Sequence, residues 1–504
     1  MGGELRRVAV RLKRVRWLPP PGGDALGRLS AVAREDAMHS TAEGTNGGPN
    51  CQSREAGGAR FAHRRNATIA GVVCLVFLVA GAGPWLETLH DFMGRSHPFW
   101  VREDFTAFYA AGKVVASGLG THLYEAATMR AAEYAAAGRQ VGGTGLLLYF
   151  NPPFFAWLFS FLTHLSLQQA YQGWMAFNLL VLAFNCWLLV RISAGLPRCG
   201  QLALVVGYLT LYPVTYGLRL GQFSLILQAS WATGALLLEQ GHDEWSGAAF
   251  APLLIKPEIL IPVGLFLVWK GRYRPFVTLL PVMLVAVLVS LFVVGIHGAA
   301  GYPGFLVHSI GADGGGVAPN LMVNWTGLIA ATAGQGSSFA TLLFASALGL
   351  LSLGAVAAVT RRSAPSTAPQ ARLEWLALTT AAMLADPHIY LQDAIIVVPA
   401  MAGVLSQAAP SSRASFGAAM VVGWAIHRLG LYPNQYLHAD LAAAFLVGVL
   451  VVTLAAAGTR AQRCERGGGW RWPGAGIRRQ AAAPACERRA APAEPAGQRK
   501  IRSA

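Results

Sequence analysis

From Asn66 to Leu86 the chain carries no charged residue, a run of 21. As a helix such a run spans about 30 Å, the thickness of the hydrocarbon core of a bilayer. Comparable apolar segments recur near 148–166, 170–190, 201–218, 221–239, 246–269, 274–296, 338–360, 373–386, 388–407, 414–430 and 437–457. In lipid the backbone polar groups of such segments must be satisfied internally, which leaves helices as the spanning element. The expected fold is therefore an all-α polytopic membrane protein with about 10–12 transmembrane helices and a long first outer loop.

Charge supports this class and locates the ends of the membrane body. Only 13% of residues are charged, where a soluble domain averages about 25%. The net charge of +16 is concentrated in the tails. Residues 1–65 hold 12 Lys/Arg against 6 Asp/Glu, and residues 459–504 hold 11 against 3. The body between them is almost neutral, so the basic excess fits cytoplasmic tails beside anionic lipid and argues against nucleic acid as a partner. Three regions result: a basic, disordered tail at 1–65, a transmembrane domain at 66–457, and a second basic, disordered tail rich in Ala, Pro and Arg at 458–504. Met38 is an internal candidate for the start of translation. The first apolar run lies too far along the chain for a secretory signal and reads as an anchor.

Arg64 and Arg65 precede that run and put the N-terminus in the cytoplasm, with 87–145 outside. Lys270, Arg272 and Arg274 mark one cytoplasmic loop, Arg361, Arg362 and Arg372 another, and Arg460 onward a third. Segments 297–325, 386–393 and 431–438 are then outside, in a multi-pass protein of the plasma membrane. Arg191 and Arg198 conflict with this if every apolar segment crosses. The conflict disappears if 148–166 is re-entrant and 246–269 is a pair of half-helices broken at Lys256 and Pro257.

Few polar residues in the body invite chemistry. Glu103 and Asp104 form a carboxylate pair in the outer loop, followed at helical spacing by Phe105, Phe108 and Tyr109. An acid beside an aromatic platform suits a sugar; the same pattern also describes an interfacial helix with solvated acids. Lys256 inside an apolar run costs about 2.5–3.5 kcal/mol unless it finds a partner or snorkels, which leaves it either an anion ligand or the mate of Glu258. Arg219 is a second cation, and His388 lies among Asp386, Tyr390, Gln392 and Asp393. The six cysteines fall singly, without metal-ligand spacing, so no metal site is expected.

The strings DFTAFYAAGKVVASGLGTHLYE (Asp104 to Glu125) and YFNPPFFAWLFSFLT (Tyr149 to Thr163) resemble the opening of glycosyltransferase family 87. Similar motifs follow in order: Gly221-Gln222-Phe223-Ser224, Ile255-Lys256-Pro257, NLMVNWTGLIAA (Asn320 to Ala331) and Asp386-Pro387-His388. The resemblance implies a GT-C-type membrane enzyme that moves a sugar, with a bias to mannose, from a polyprenyl-phosphate donor to a lipid or glycan acceptor on the outer face. It implies Asp104 as general base of a single inverting displacement. Lys256, Arg219 and His388 would bind the donor phosphate, and Glu103, Tyr109, Gln222, Asn324 and Asp386 would bind substrate. No cofactor is implied beyond the lipid-linked donor; metal dependence and oligomeric state stay open. Two other classes remain open at this point: a transporter or flippase of lipid-linked sugars, which would use Lys256 and Asp386 as a midplane site, and a polysaccharide polymerase or ligase.

Overall fold

The computed structural model describes residues 50–93, 103–141, 146–311, 322–333, 339–361, 368–429 and 435–467. Most of the two tails therefore lies outside the described residues. The described part is helical, with one isolated bridge, Met322 to Tyr390, and no strand. In chain order the helices are α1 (Asn50–Phe92), α2 (Asp104–Ala116), α3 (Ala126–Ala137), α4 (Pro153–Ser160), α5 (Leu167–Ile192), α6 (Arg198–Leu209), α7 (Tyr212–Leu220), α8 (Ser224–Glu239) and α9 (Asp243–Phe250). They continue with α10 (Pro257–Trp269), α11 (Phe276–Gly311), α12 (Trp325–Ala333), α13 (Phe339–Arg361), α14 (Ala368–Ala385), α15 (Val397–Gln407), α16 (Pro410–Leu429) and α17 (Gln435–Gly467). Residues 50–65 and 458–467, expected in the tails, continue α1 and α17.

Among the described residues five single helices are long and apolar enough to cross a bilayer: Ala67–Phe92, Leu167–Ile192, Phe276–Leu306, Phe339–Thr360 and Leu441–Gly458. The protein is an all-α polytopic membrane protein. Along α11, Val277, Leu280, Leu284, Leu288 and Phe292 are exposed at i, i+3 and i+4 spacing, which is how a helix presents itself to lipid. The remaining apolar segments take shorter paths. Segment 148–166 forms only the eight-residue α4 and a 3-10 turn, Phe161–His164, about 12 Å of α-helix and far less than a bilayer. Segment 246–269 breaks into α9, the 3-10 turn Ala251–Ile255 and α10. Lys256 stands at the break in a non-helical conformation because the following Pro257 disfavours the helical region for it. The carbonyl of Ile255 that the break releases is taken up by Asn151 Nδ2 at 3.1 Å.

Contacts divide the chain into two compact units. The smaller holds α1 as far as Gly83 together with Leu196–Thr210. Its helices touch through small residues: a Cβ on Gly207 would lie 2.7 Å from the Phe77 ring, and one on Gly81 2.5 Å from Thr210, the close approach that favours glycine in membrane helices. The larger unit holds Pro84–Gly195 and the described residues from Leu211 onward. At its centre lies α14, buried almost all round from Leu373 to Leu384.

Inside the larger unit, four helices share two ends. At one end Arg372 donates to the carbonyls of Ile192 and Gly403 and to Ser406 Oγ, and pairs with Glu239, while Lys270 pairs with Glu374. At the other, Tyr171 and Trp174 of α5 bond the carbonyls of Leu218, Arg219 and Gly221, and Ser224 at the head of α8 meets Asp393. Lys256 precedes α10 and Asp386 follows α14 at that same end. The 26 residues of α5 separate the two ends by about 39 Å. The Arg191 end of α5 thus belongs with the basic residues Lys270 and Arg372. Helix α4 is too short to cross, and the 246–269 segment is broken at Lys256 and Pro257.

Candidate active site

Helix α2 begins at Asp104, whose carboxylate in the first turn suits the positive end of the helix. The helix is a core element, not an interfacial one: Phe105 to Gly112 and Val114 are all buried. Gly112 lets α4 come so close that a Cβ would stand 2.8 Å from the Phe159 backbone. This corrects the aromatic-platform expectation. Phe105 packs edge-on against Tyr171 and Phe159, and Phe108 against Phe155, Phe159 and Tyr149. Tyr109 is 2% exposed and its hydroxyl donates to the Leu165 carbonyl at 2.7 Å, so its side chain fastens α2 to the α4–α5 connection and does not line the carboxylates.

Asp104 itself is half-buried. The Gln222 amide donates to its Oδ2 at 2.5 Å, while Oδ1 accepts nothing among the described residues. The geometry of the Gly-Gln turn produces this contact. Helix α7 ends at Gly221 in the left-handed region, φ 71°, and a Cβ there would lie 2.6 Å from Phe105 Cβ. Only glycine satisfies both conditions. The indole of Trp174 holds the Gly221 carbonyl at 2.7 Å and fixes the turn.

Burial raises the Asp104 carboxyl to about 6, opposed by the Gln222 hydrogen bond and assisted by the negative charge of Asp393. Glu103 beside it is raised to about 8, first by burial and then by the charge of Asp104, with Arg219 acting the other way. At neutral pH the pair therefore carries about one negative charge, on Asp104. A carboxylate with one oxygen held, one open and a pKa near the working pH is suited to removing a proton from a hydroxyl.

From Gln222 a polar chain continues within the larger unit. Two residues on, Ser224 Oγ donates to Asp393 Oδ1 at 2.5 Å; Asp393 Oδ2 accepts from Lys256 Nζ at 2.9 Å. The same ammonium donates to the His388 carbonyl at 2.6 Å and lies 3.6 Å from Asp386 Oδ2. Lys256 is 5% exposed. Two of its three protons are hydrogen-bonded, to Asp393 and to the His388 carbonyl, and Asp386 adds an ion pair without a hydrogen bond, so the ion-pair partners are Asp393 and Asp386, where the sequence offered Glu258 or a phosphate.

Arg219, whose charge acts on Glu103, has its Nε on Asp91 Oδ2 at 2.7 Å and its Nη1 on Glu87. Asp386 serves the loop after α14, its Oδ1 accepting the His388 amide at 2.7 Å. Asn324 is fully buried; it donates to the Asp386 carbonyl at 2.6 Å and caps α12 by accepting from Gly327 N at 2.8 Å. The His388 ring is half-buried between Phe150, centroids 4.6 Å apart, and Tyr390, 5.0 Å. Asp104, Gln222, Glu103 and Arg219 are thus brought together, and Lys256, Asp386, Asn324 and His388 form a second group joined to them through Ser224 and Asp393. Sequence reasoning assigned no role to Ser224 or Asn151, and met Asp393 only as one of the polar neighbours of His388 suited to binding sugar or phosphate.

Residues 149–387 match the model of a known family, described as Glycosyltransferase family 87. Over that stretch, 239 of 504 residues, the chain is similar to glycosyltransferase family 87. The match contains the Gly-Gln turn, the break at Lys256, Asn324 and Asp386; it begins after Asp104 and ends one residue before His388. No curated protein and no solved structure matches the chain. The family 87 match, with the helical membrane body, supports a membrane glycosyltransferase. Among the described residues no group of three or more His, Cys, Asp or Glu side chains is placed to hold a metal ion.

Proposed function

We propose that this protein transfers a sugar, mannose first among the candidates, from a polyprenyl-phosphate donor to a lipid or glycan acceptor at the outer face of the plasma membrane, through a GT-C-type fold. Asp104 is the general base. The acceptor hydroxyl gives its proton to Asp104 Oδ1, the hydroxyl oxygen attacks the anomeric carbon from the face opposite the phosphate, and the polyprenyl phosphate leaves with the bonding electrons. One displacement inverts the anomeric centre.

The observation that carries this reading is the Asp104 carboxylate, raised to about 6 by burial, with Oδ2 held by Gln222 and Oδ1 open. Arg219, whose charge acts on the neighbouring Glu103, offers the leaving phosphate a guanidinium whose partner Glu87 is 49% exposed and can give way. Placement outside draws support from the basic residues Lys270 and Arg372, which mark the far end of α5 from the carboxylates. The buried charges at Lys256 favour a second reading, a transporter of lipid-linked sugars, because intramembrane ion clusters commonly mark substrate paths.

The test is transfer of labelled mannose from polyprenyl-phosphate mannose to membrane lipid and glycan by purified wild type and Asp104→Asn. Transfer by wild type alone is the expected result. Transfer by both would remove Asp104 from the role of base. No transfer by either, with a series of polyprenyl-phosphate sugars, alongside movement of lipid-linked sugar across vesicles, would establish the transporter instead.

A further inference from the structure

The loop 386–393 is pinned from every side. His388 N donates to Asp386 Oδ1 and the His388 carbonyl accepts from Lys256 Nζ. One residue on, the Ile389 carbonyl accepts from Val323 N at 3.0 Å, and Tyr390 pairs with Met322. The Asp386 carbonyl is held by Asn324. With both backbone groups of His388 fixed, only its imidazole remains to act, and neither ring nitrogen hydrogen-bonds to any described residue.

The ion cluster behind it is poorly suited to bind an anion. One ammonium faces two aspartates, a local excess of negative charge that repels phosphate. Two protons of Lys256 Nζ are committed to Asp393 and the His388 carbonyl, and the buried Asp386 Oδ2, which accepts no hydrogen bond, lies 3.6 Å from the same ammonium. What the cluster does offer is reach. Through His388 it holds the imidazole between Phe150 and Tyr390, and through Asp393 and Ser224 it holds the start of α8, two residues after the Gln222 that bonds Asp104.

We propose that Lys256, Asp386 and Asp393 are positioning residues: their buried ion cluster sets the His388 imidazole and the Gln222–Asp104 pair in fixed relation, and His388 and Arg219, not Lys256, contact the donor phosphate. This rests on the reading of the chain as a polyprenyl-phosphate-dependent transferase. It deepens that reading by separating the residues that touch the donor from those that hold them, as binding sites commonly require a supporting shell of this kind.

The test is a cycle of Lys256→Gln, Asp393→Asn and the double variant, with His388→Ala as a separate arm. Each folded protein is measured for turnover and for binding of farnesyl phosphate, a sugar-free probe of the phosphate site. Lys256→Gln leaves two aspartates facing no cation; the expected result is a loss of about 100-fold in turnover and about tenfold weaker probe binding. Adding Asp393→Asn rebalances the charge and restores both to within about fivefold of wild type. His388→Ala weakens probe binding about tenfold with an unchanged melting temperature. A residue that merely supported folding would lower the folded fraction and leave probe affinity of the folded protein alone.

If Asp393→Asn restores nothing, the missing cation itself was the ligand and the proposal is overturned. Where Lys256→Gln fails to fold, the charge-balanced double variant decides: folded and probe-binding supports positioning, folded and non-binding overturns it. Wild type that binds the probe yet transfers no sugar would end the transferase reading while the binding arms still judge this one. Wild type that does not bind the probe would end both.

Discussion

The Gln222 amide reaches the Asp104 carboxylate at 2.5 Å across 118 residues of sequence. The bond favours the ionised carboxylate, against the burial that pushes its pKa up to about 6. A base must be ionised to act, so turnover falls as pH drops through 6 and levels above it. In Gln222→Ala the hydrogen bond is gone and burial is not, so the acid limb moves to higher pH, by about one unit. A pH–rate profile of donor turnover in both proteins checks this. An unmoved limb would mean that another group governs it.

Gly221 is the reason Gln222 can reach. A side chain there meets both a left-handed backbone and a Phe105 Cβ at 2.6 Å. Gly221→Ala is expected to cost about 2–3 kcal/mol of stability and to displace Gln222. Thermal melting should show the loss, and the remaining folded enzyme should show the raised acid limb of Gln222→Ala. A stable, fully active Gly221→Ala would contradict the geometry of the turn.

Much of this was legible. The uncharged run 66–86 announces a membrane helix, and the Gly-Gln pair announces a turn with a polar side chain after it. The carboxylates at 103–104 stand out because nothing around them needs charge. Spacing misled at Phe105 and Tyr109, since i, i+4 aromatics look alike on a surface and in a core; the nearly all-round apolar character of α2 was the signal for burial. Hydropathy reads apolarity and not path, so from sequence the segments at 148–166 and 246–269 are as consistent with crossing as with stopping short, and only Lys256-Pro257 points to a break in the second. The ion cluster had no local signature: Asp393 lies 137 residues from Lys256 and 169 from Ser224. Buried charges on different helices find each other only in the fold.

Glu133 is fully buried and accepts the Leu147 amide at 3.1 and 3.3 Å, with burial raising it from 4.5 to about 7. The folded state therefore holds its proton more tightly than the unfolded one. Stability is full below 4.5 and declines as pH rises through about 7, by about 3 kcal/mol in total. Glu133→Gln removes this dependence. Its melting temperature should exceed that of wild type at pH 8 and not at pH 4; equal differences at both would show that ionisation of Glu133 is not the cause.

Glu87 and Asp91 hold the same guanidinium but differ in exposure, 49% against 6% for their side chains. An exposed pair is worth about 0.2–1 kcal/mol, which a phosphate carrying more charge readily exceeds. Asp91 stays, because removing it strands a partly buried Arg219, whereas Glu87 exchanges with the donor. Glu87→Gln should then lower the donor KM by up to about fivefold, the ratio corresponding to 1 kcal/mol, with turnover unchanged. Arg219→Gln should raise the donor KM in either background, and the advantage of Glu87→Gln should vanish in the double variant. If instead Glu87→Gln raises the donor KM while Arg219 is intact, Glu87 is orienting Arg219 for the phosphate and does not occupy the phosphate's place.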